Sequence, residues 1–264
     1  MVDVGGADAA AVDQLVRLRQ RAAHEVAPSA TANLRVVGSA AEGYEVFDGP
    51  DRLARVPTAR AVLDEVFARA HRRAFELASL KGWVRFHGAV LSIGASRVAI
   101  VGPSGAGKTT LALALLQGGA AFETDESFVA RDGSVFSVAR RLHVKPGTAD
   151  HVPTATWIQD APVLDGDPPL RVIDPTEHGL PWDVALGPID HLVVLERRAG
   201  PSSIGAVAAS TVVQGLIAES FPVTESRAAV VRQAAALVRG RPLHRVVNGS
   251  DGRAAALVAS LATA

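Results

Sequence analysis

The spacing of hydrophobic positions changes along the chain, and each change predicts a different kind of element. Val12, Leu15, Val16, Ala22, Ala23 and Val26 recur at helical spacing, which predicts a first helix capped by Asp8 and ended before Pro28. Two strand-like runs follow, Leu34 to Val37 and Tyr44 to Phe47, with Asp48-Gly49-Pro50 as turn chemistry, so a small sheet is expected there. Helical spacing returns at Val62, Leu63, Val66, Phe67, Ala70, Ala74 and Leu77, with Thr58 placed to cap this helix and Gly82 to close it.

From Trp83 the texture becomes short apolar runs broken by glycine: Ala89 to Ile93, Gly94, then Arg97 to Val101. A helix is expected from Lys108 to Gln117, ended by Gly118-Gly119, then a strand over Ala121 to Thr124 and a hairpin turn at Arg131-Asp132-Gly133. The stretch from Thr148 to Gly187 is rich in Pro, Gly and Asp and lacks sustained periodicity, which predicts loops with one strand near Leu170 to Ile173. Leu192 to Leu195 is a buried type of strand, and three helical stretches follow, with a strand over Leu243 to Val247 between the last two. The connection Gly94-Ala95-Ser96 is too short for a parallel crossover. The expected architecture is therefore an α/β domain with a mixed central sheet over residues 81–264, preceded by a small α+β region over 1–80.

Composition narrows the functional classes. The chain has 264 residues, 48% hydrophobic and 20% charged, as folded soluble chains do. Lys plus Arg and Asp plus Glu both number 27, so the overall basic field expected of a nucleic-acid-coating protein is absent and no nucleic-acid partner is expected. With no cysteine there is no disulfide, thiolate metal site or thiol nucleophile. No apolar run approaches the roughly 18 residues of a membrane span, and Met1 leads into Asp3, Gly5 and Asp8 rather than a signal peptide. A cytoplasmic protein without a membrane partner is expected, with a homo-oligomer left open.

The strongest chemical signal is Gly102-Pro-Ser-Gly-Ala-Gly-Lys-Thr-Thr110, which satisfies the phosphate-binding pattern of Gly, four residues, then Gly-Lys-Ser/Thr. The apolar strand Val98 to Val101 leads into it, and a helix with Leu111, Leu113, Ala114 and Leu116 leaves it. Such a loop turns successive N–H groups toward phosphate oxygens at a helix N-terminus. Gly102, Ser104, Gly105, Ala106, Gly107, Lys108, Thr109 and Thr110 are the expected nucleotide contacts. Lys108 is placed to reach the β- and γ-phosphates, and the Thr109 hydroxyl to ligate Mg2+.

Phosphoryl transfer to a hydroxyl also needs a carboxylate near the γ-phosphate. One candidate is Asp125-Glu126, directly after the strand Ala121 to Thr124; the other is Glu196, ending the strand Leu192 to Leu195. Asp125 is favoured because one helix and one return strand separate it from the loop. The nearby cations Arg140, Arg141 and Lys145 are candidates to neutralise charge on the transferring group. His143, His151, His178 and His191 are too scattered for a local metal pattern. Ser104 has no neighbours that would make it a nucleophile.

Taken together, His87-Gly88-Ala89, the Gly102 to Thr110 loop, Gly118-Gly119, Asp125-Glu126 and Arg141-Leu-His-Val-Lys145-Pro-Gly147 resemble the kinase domain of the HPr kinase/phosphorylase family, especially its shorter HPr kinase-like relatives, which share a core with phosphoenolpyruvate carboxykinases. The dense resemblance covers Trp83 to Gly147. It implies that His87 lies beside the phosphates, that Asp125 deprotonates the acceptor hydroxyl, and that Glu126 helps hold the metal. Two features depart from that pattern. HPr kinases proper carry two aspartates where this chain has Asp125-Glu126, and their later glycine- and arginine-rich signature is missing.

The resulting expectation is an ATP- and Mg2+-dependent kinase acting on a hydroxyl of a peptide, protein or small molecule other than HPr. Asp125, His87, Lys108, Arg141 and Lys145 are its expected catalytic residues, and Thr109 and Glu126 its metal ligands. The alternative from another class is an ATPase or nucleotide switch driving a protein partner. Against it, no Leu-Ser-Gly-Gly-Gln stretch occurs, and Glu196 is followed by Arg197-Arg198 rather than a second acid.

Overall fold

The computed structural model describes residues 2–9, 34–138, 140–164, 169–222 and 224–263. The helix expected after Asp8 falls almost wholly outside these residues. The Asp8 carboxylate accepts from the Ala40 N–H and the Tyr44 hydroxyl, both at 2.9 Å.

The N-terminal part forms strands β1 (Val2–Ala7), β2 (Leu34–Ser39), β3 (Gly43–Asp48) and β4 (Asp51–Val56), followed by the long helix α1 (Ala59–Leu80). The expected small sheet is present as four strands in sequence order, with β1 parallel to β2 and the others antiparallel. Leu34, Val36, Tyr44 and Val46 are buried on the face that receives Val62 and Val66 of α1. The Thr58 hydroxyl caps α1 by accepting from the Ala61 N–H at 3.1 Å.

The chain then runs through β5 (Val84–His87), β6 (Ala89–Ile93), β7 (Ser96–Val101), α2 (Lys108–Gln117), β8 (Ala121–Thr124), β9 (Ser127–Arg131), β10 (Ser134–Ser137) and β11 (Leu142–Val144). Next come the one-turn helices α3 (Thr148–His151) and α4 (Trp157–Asp160), then β12 (Val163–Leu164), β13 (Leu170–Ile173), β14 (Leu186–Pro188), β15 (His191–Arg197) and β16 (Ser203–Ala206). Helices α5 (Ala209–Ala218) and α6 (Arg227–Val238), strand β17 (Leu243–Asn248) and helix α7 (Ala254–Ala259) complete the elements. No helix among the described residues is long and apolar enough to cross a membrane.

The central sheet has the order β16-β17-β15-β7-β6-β8. It is mixed as expected: β15 is parallel to β7 and β17, whereas β6 is antiparallel to both β7 and β8. Its strands are apolar on both faces because both are covered. Leu91, Ile100, Val193 and Leu195 face the cluster that contains α2 and α7, while Val90, Val101, Leu192 and Val194 face the one that contains α5 and α6. The turn at Asp132-Gly133 has positive φ at both residues, 51° and 83°, as a two-residue hairpin requires.

Three features depart from the sequence reading. Thr148 to Gly187 contains the expected strand, β13, but also supplies α3, α4, β12 and the start of β14, and β11-β13-β12 form a sheet of their own. Their brevity, two to four residues each, is why no period is visible. Strands β1, β5 and β16 were not expected. Lastly, a buried charge pair crosses the core. Arg97 donates from Nε and Nη2 to the Glu123 carboxylate, both at 2.7 Å, and also to the carbonyls of Val135, Ala185 and Gly187. The Ser137 hydroxyl donates to the same carboxylate at 2.7 Å.

Candidate functional site

Parallel strands β7 and β15 end side by side, and the glycine-rich loop leaves the sheet there. A Cβ on Gly102 would run into the Leu195 carbonyl oxygen, so the loop starts with its backbone pressed against β15. Gly107 has φ +95°, and a Cβ there would come within 2.6 Å of the Asn248 amide nitrogen. That left-handed residue precedes α2, which has no side-chain N-cap and so keeps first-turn N–H groups for an anionic ligand. The Lys108 ammonium is folded onto the loop, donating to the Gly102 carbonyl at 2.5 Å and the Pro103 carbonyl at 3.3 Å. Burial lowers its pKa, opposed by Glu219, Glu126 and Asp125.

Asp125 sits between β8 and β9, 3% exposed. The Thr109 hydroxyl donates to its Oδ2 at 2.8 Å. Its Oδ1 has no hydrogen-bond partner among the described residues, and Arg140 Nη2 stands 3.9 Å from it. Burial raises the Asp125 pKa, opposed chiefly by Arg140. Arg140 Nη2 donates to Glu126 Oε2 at 2.7 Å. The His87 ring donates from Nδ1 to the Glu126 carbonyl at 2.5 Å, which fixes the orientation of the ring. Gly88 is required next to it, since a Cβ there would lie 2.7 Å from the Ile100 carbonyl oxygen.

These groups line a cleft of about 560 Å3. From the loop it is lined by Ser104, Gly105, Gly107, Lys108, Thr109 and Thr110, but not by Gly102, whose carbonyl holds Lys108, nor by Ala106, which is buried in the core. His87, Asp125, Glu126 and Lys145 line it as well. Arg141 does not: its guanidinium pairs with Asp174 and Glu177, each at 3.4 Å. Arg140 is the cation that faces the acid pair, because the two neighbours point to opposite sides of the extended chain entering β11. Glu196 is also absent from the lining, being held by Arg198 at 2.5 Å and Arg245 at 3.2 Å.

Two lining residues were missed as contributors. His143 presents a ring whose Nε2 has no hydrogen-bond partner among the described residues, and burial together with Arg140 and Arg60 lowers its pKa to about 3. Arg197 ends β15 beside the loop; its signal in the sequence is its position at the C-terminal end of a predicted buried strand, where parallel sheets gather ligand contacts. His178 stacks on Trp157 and His191 bonds to His244, outside the cleft.

No group of three or more metal-ligating acids or imidazoles occurs among the described residues. A Mg2+ ion held largely by phosphates and water would need little more from the protein than the Thr109 hydroxyl, which here bonds to Asp125. Glu126, expected as a second ligand, is engaged with Arg140.

No family model matches the chain, and no curated protein does. Among solved structures, the Hpr(Ser) kinase/phosphatase from Coxiella burnetii is similar over 68% of this chain and 93% of its own, at 14% identity and a TM-score of 0.33. At that identity and TM-score the likeness assigns neither an activity nor residue roles to this chain.

Proposed function

We propose that the cleft is the site of a Mg2+-dependent kinase that passes the γ-phosphoryl group of ATP to a hydroxyl of a peptide, protein or small molecule other than HPr. One observation carries this reading: a buried carboxylate, Asp125, bonded to the Thr109 hydroxyl at the first turn of an uncapped helix, behind a glycine-rich loop. In the reaction, Lys108 exchanges the loop carbonyls for β- and γ-phosphate oxygens. Asp125 accepts the proton of the acceptor hydroxyl while its oxygen bonds to the γ-phosphorus and the bond to the β,γ-bridging oxygen breaks, leaving ADP. Burial raises the Asp125 pKa toward the working pH, which suits a base that must also release its proton. Arg140 and Lys145 offset charge on the transferring group, and bound Mg2+ would neutralise β- and γ-oxygens. His87 positions the acid pair through the Glu126 carbonyl.

Asp125→Asn keeps the size of the side chain but cannot take a proton. Acceptor phosphorylation should fall by roughly two to four decades with little change in nucleotide affinity. Lys108→Ala should weaken Mg·ATP binding in calorimetry. Rapid hydrolysis indifferent to every acceptor but stimulated by a protein partner would overturn the transfer reading in favour of an ATPase.

A further inference from the structure

A second cavity, of about 400 Å3, opens on the other side of the loop and shares Gly107, Thr110, His151 and Arg197 with the cleft. The two are continuous around the N-terminus of α2. One wall of the second cavity is Leu111 and Ala114 of α2, another is Ala254 and Ala255 of α7, and its rim is the segment 248–252. This rim is fastened in place. Asn248 donates to the Ala106 carbonyl at 3.3 Å, the Ser250 N–H donates to the Gly200 carbonyl at 3.0 Å, and Asp251 accepts from the Ser202 N–H at 3.0 Å. Gly249 lies so close to 200–202 that a Cβ would be 2.6 Å from Ser202 N. The Asn248 and Asp251 side chains are thus turned onto neighbouring groups, and beside the polar Asp150 and His151 the cavity offers methyl-bearing walls; its size is one used for small molecules, about 300–1,000 Å3.

We infer that the nucleoside half of the nucleotide lies in this second cavity, between α2, α7 and the 248–252 rim, with the triphosphate passing over Thr110 into the cleft; this rests on the kinase reading above. The chemistry of the two spaces matches that division. Lys108, Arg140 and Lys145 line the cleft alone and serve the phosphates, Arg197 lines both spaces, and the second cavity adds an apolar pair of helix faces for a base. The division leaves His87 and His143 of the cleft for the acceptor.

Two variants narrow the cavity from opposite sides, Ala114→Phe on α2 and Ala255→Phe on α7, and each would be compared with the parent by calorimetry using Mg·ATP and inorganic tripolyphosphate. Each variant should bind ATP at least tenfold more weakly while its tripolyphosphate affinity stays within about twofold of the parent. ATP affinity unchanged in both variants, or equal losses of ATP and tripolyphosphate in both, would overturn the inference. A parent protein that binds neither probe would instead overturn the phosphate-loop reading beneath it.

Discussion

Asp125 is held under two opposed influences. Burial lifts its pKa above the ordinary aspartate value, and Arg140 pulls the other way. With the folded value raised, the stability Asp125 contributes is complete below the ordinary value near 3.8 and is lost as the pH rises through the folded one. Asp125→Asn, which cannot ionise, should therefore melt higher than the parent at about pH 8, the gap closing toward pH 4. A variant that melts lower at pH 8 would contradict the burial argument. Arg140→Met removes the neighbouring positive charge and should move the acid limb of the pH–rate profile to higher pH; a limb that stays in place would assign that titration to another group.

At the scale of elements, α1 serves two partners. Its first half packs on the small sheet through Val62 and Val66, while Phe67 lies beneath the Arg140 guanidinium at 5.8 Å and stacks near His71 at 3.8 Å. Burial, with help from neighbouring arginines, lowers the pKa of His71 to about 4 and that of His143 to about 3. Both are neutral in the fold and take up a proton on unfolding below about pH 6.5, so stability should drop as the pH falls through that value, by up to about 1.4 kcal/mol per pH unit for each histidine. Urea midpoints at about pH 7 and pH 5 would measure the drop, and His71→Phe should make it smaller. The Arg97–Glu123 pair ties β7 to β8 and to the carbonyls flanking β14. Glu123→Gln leaves a buried guanidinium without its counter-charge, which should cost about 3–5 kcal/mol in a denaturation experiment.

Across the whole molecule, the central sheet is covered on both faces, and α1 links the small N-terminal sheet to a second four-stranded sheet, of order β14-β10-β9-β5, by packing on β5. Phe75 of α1 is 2% exposed, with the Arg85 guanidinium stacked over it at 4.0 Å. Phe75 thus carries packing across the division expected near residue 80. Phe75→Ala should destabilise the protein by about 3–5 kcal/mol and lower a single melting transition. A separate early transition, with the main one unmoved, would show that the N-terminal part folds by itself.

Much of the site was legible because its chemistry is local in sequence. The loop from Gly102 to Thr110, the helix it opens and Asp125 one return strand later are close neighbours along the chain, and glycine spacing with a following apolar helix states their geometry directly. The mixed sheet followed from three residues, Gly94 to Ser96, too few to cross over. What lies across the sheet was not legible. Arg140 and Arg141 are adjacent and chemically identical, and only the path of the chain into β11 decides which meets Asp125 and which meets Asp174. Glu123 looked like any strand residue until Arg97 crossed to meet it, and Arg197 and Asn248 reach the loop because β15 ends beside β7 and β17 beside β15. Local pattern determined most of the elements and the glycine-rich loop; long-range strand pairing decided their company, because partners some 26 to 142 residues apart in sequence leave no periodic trace in either segment alone.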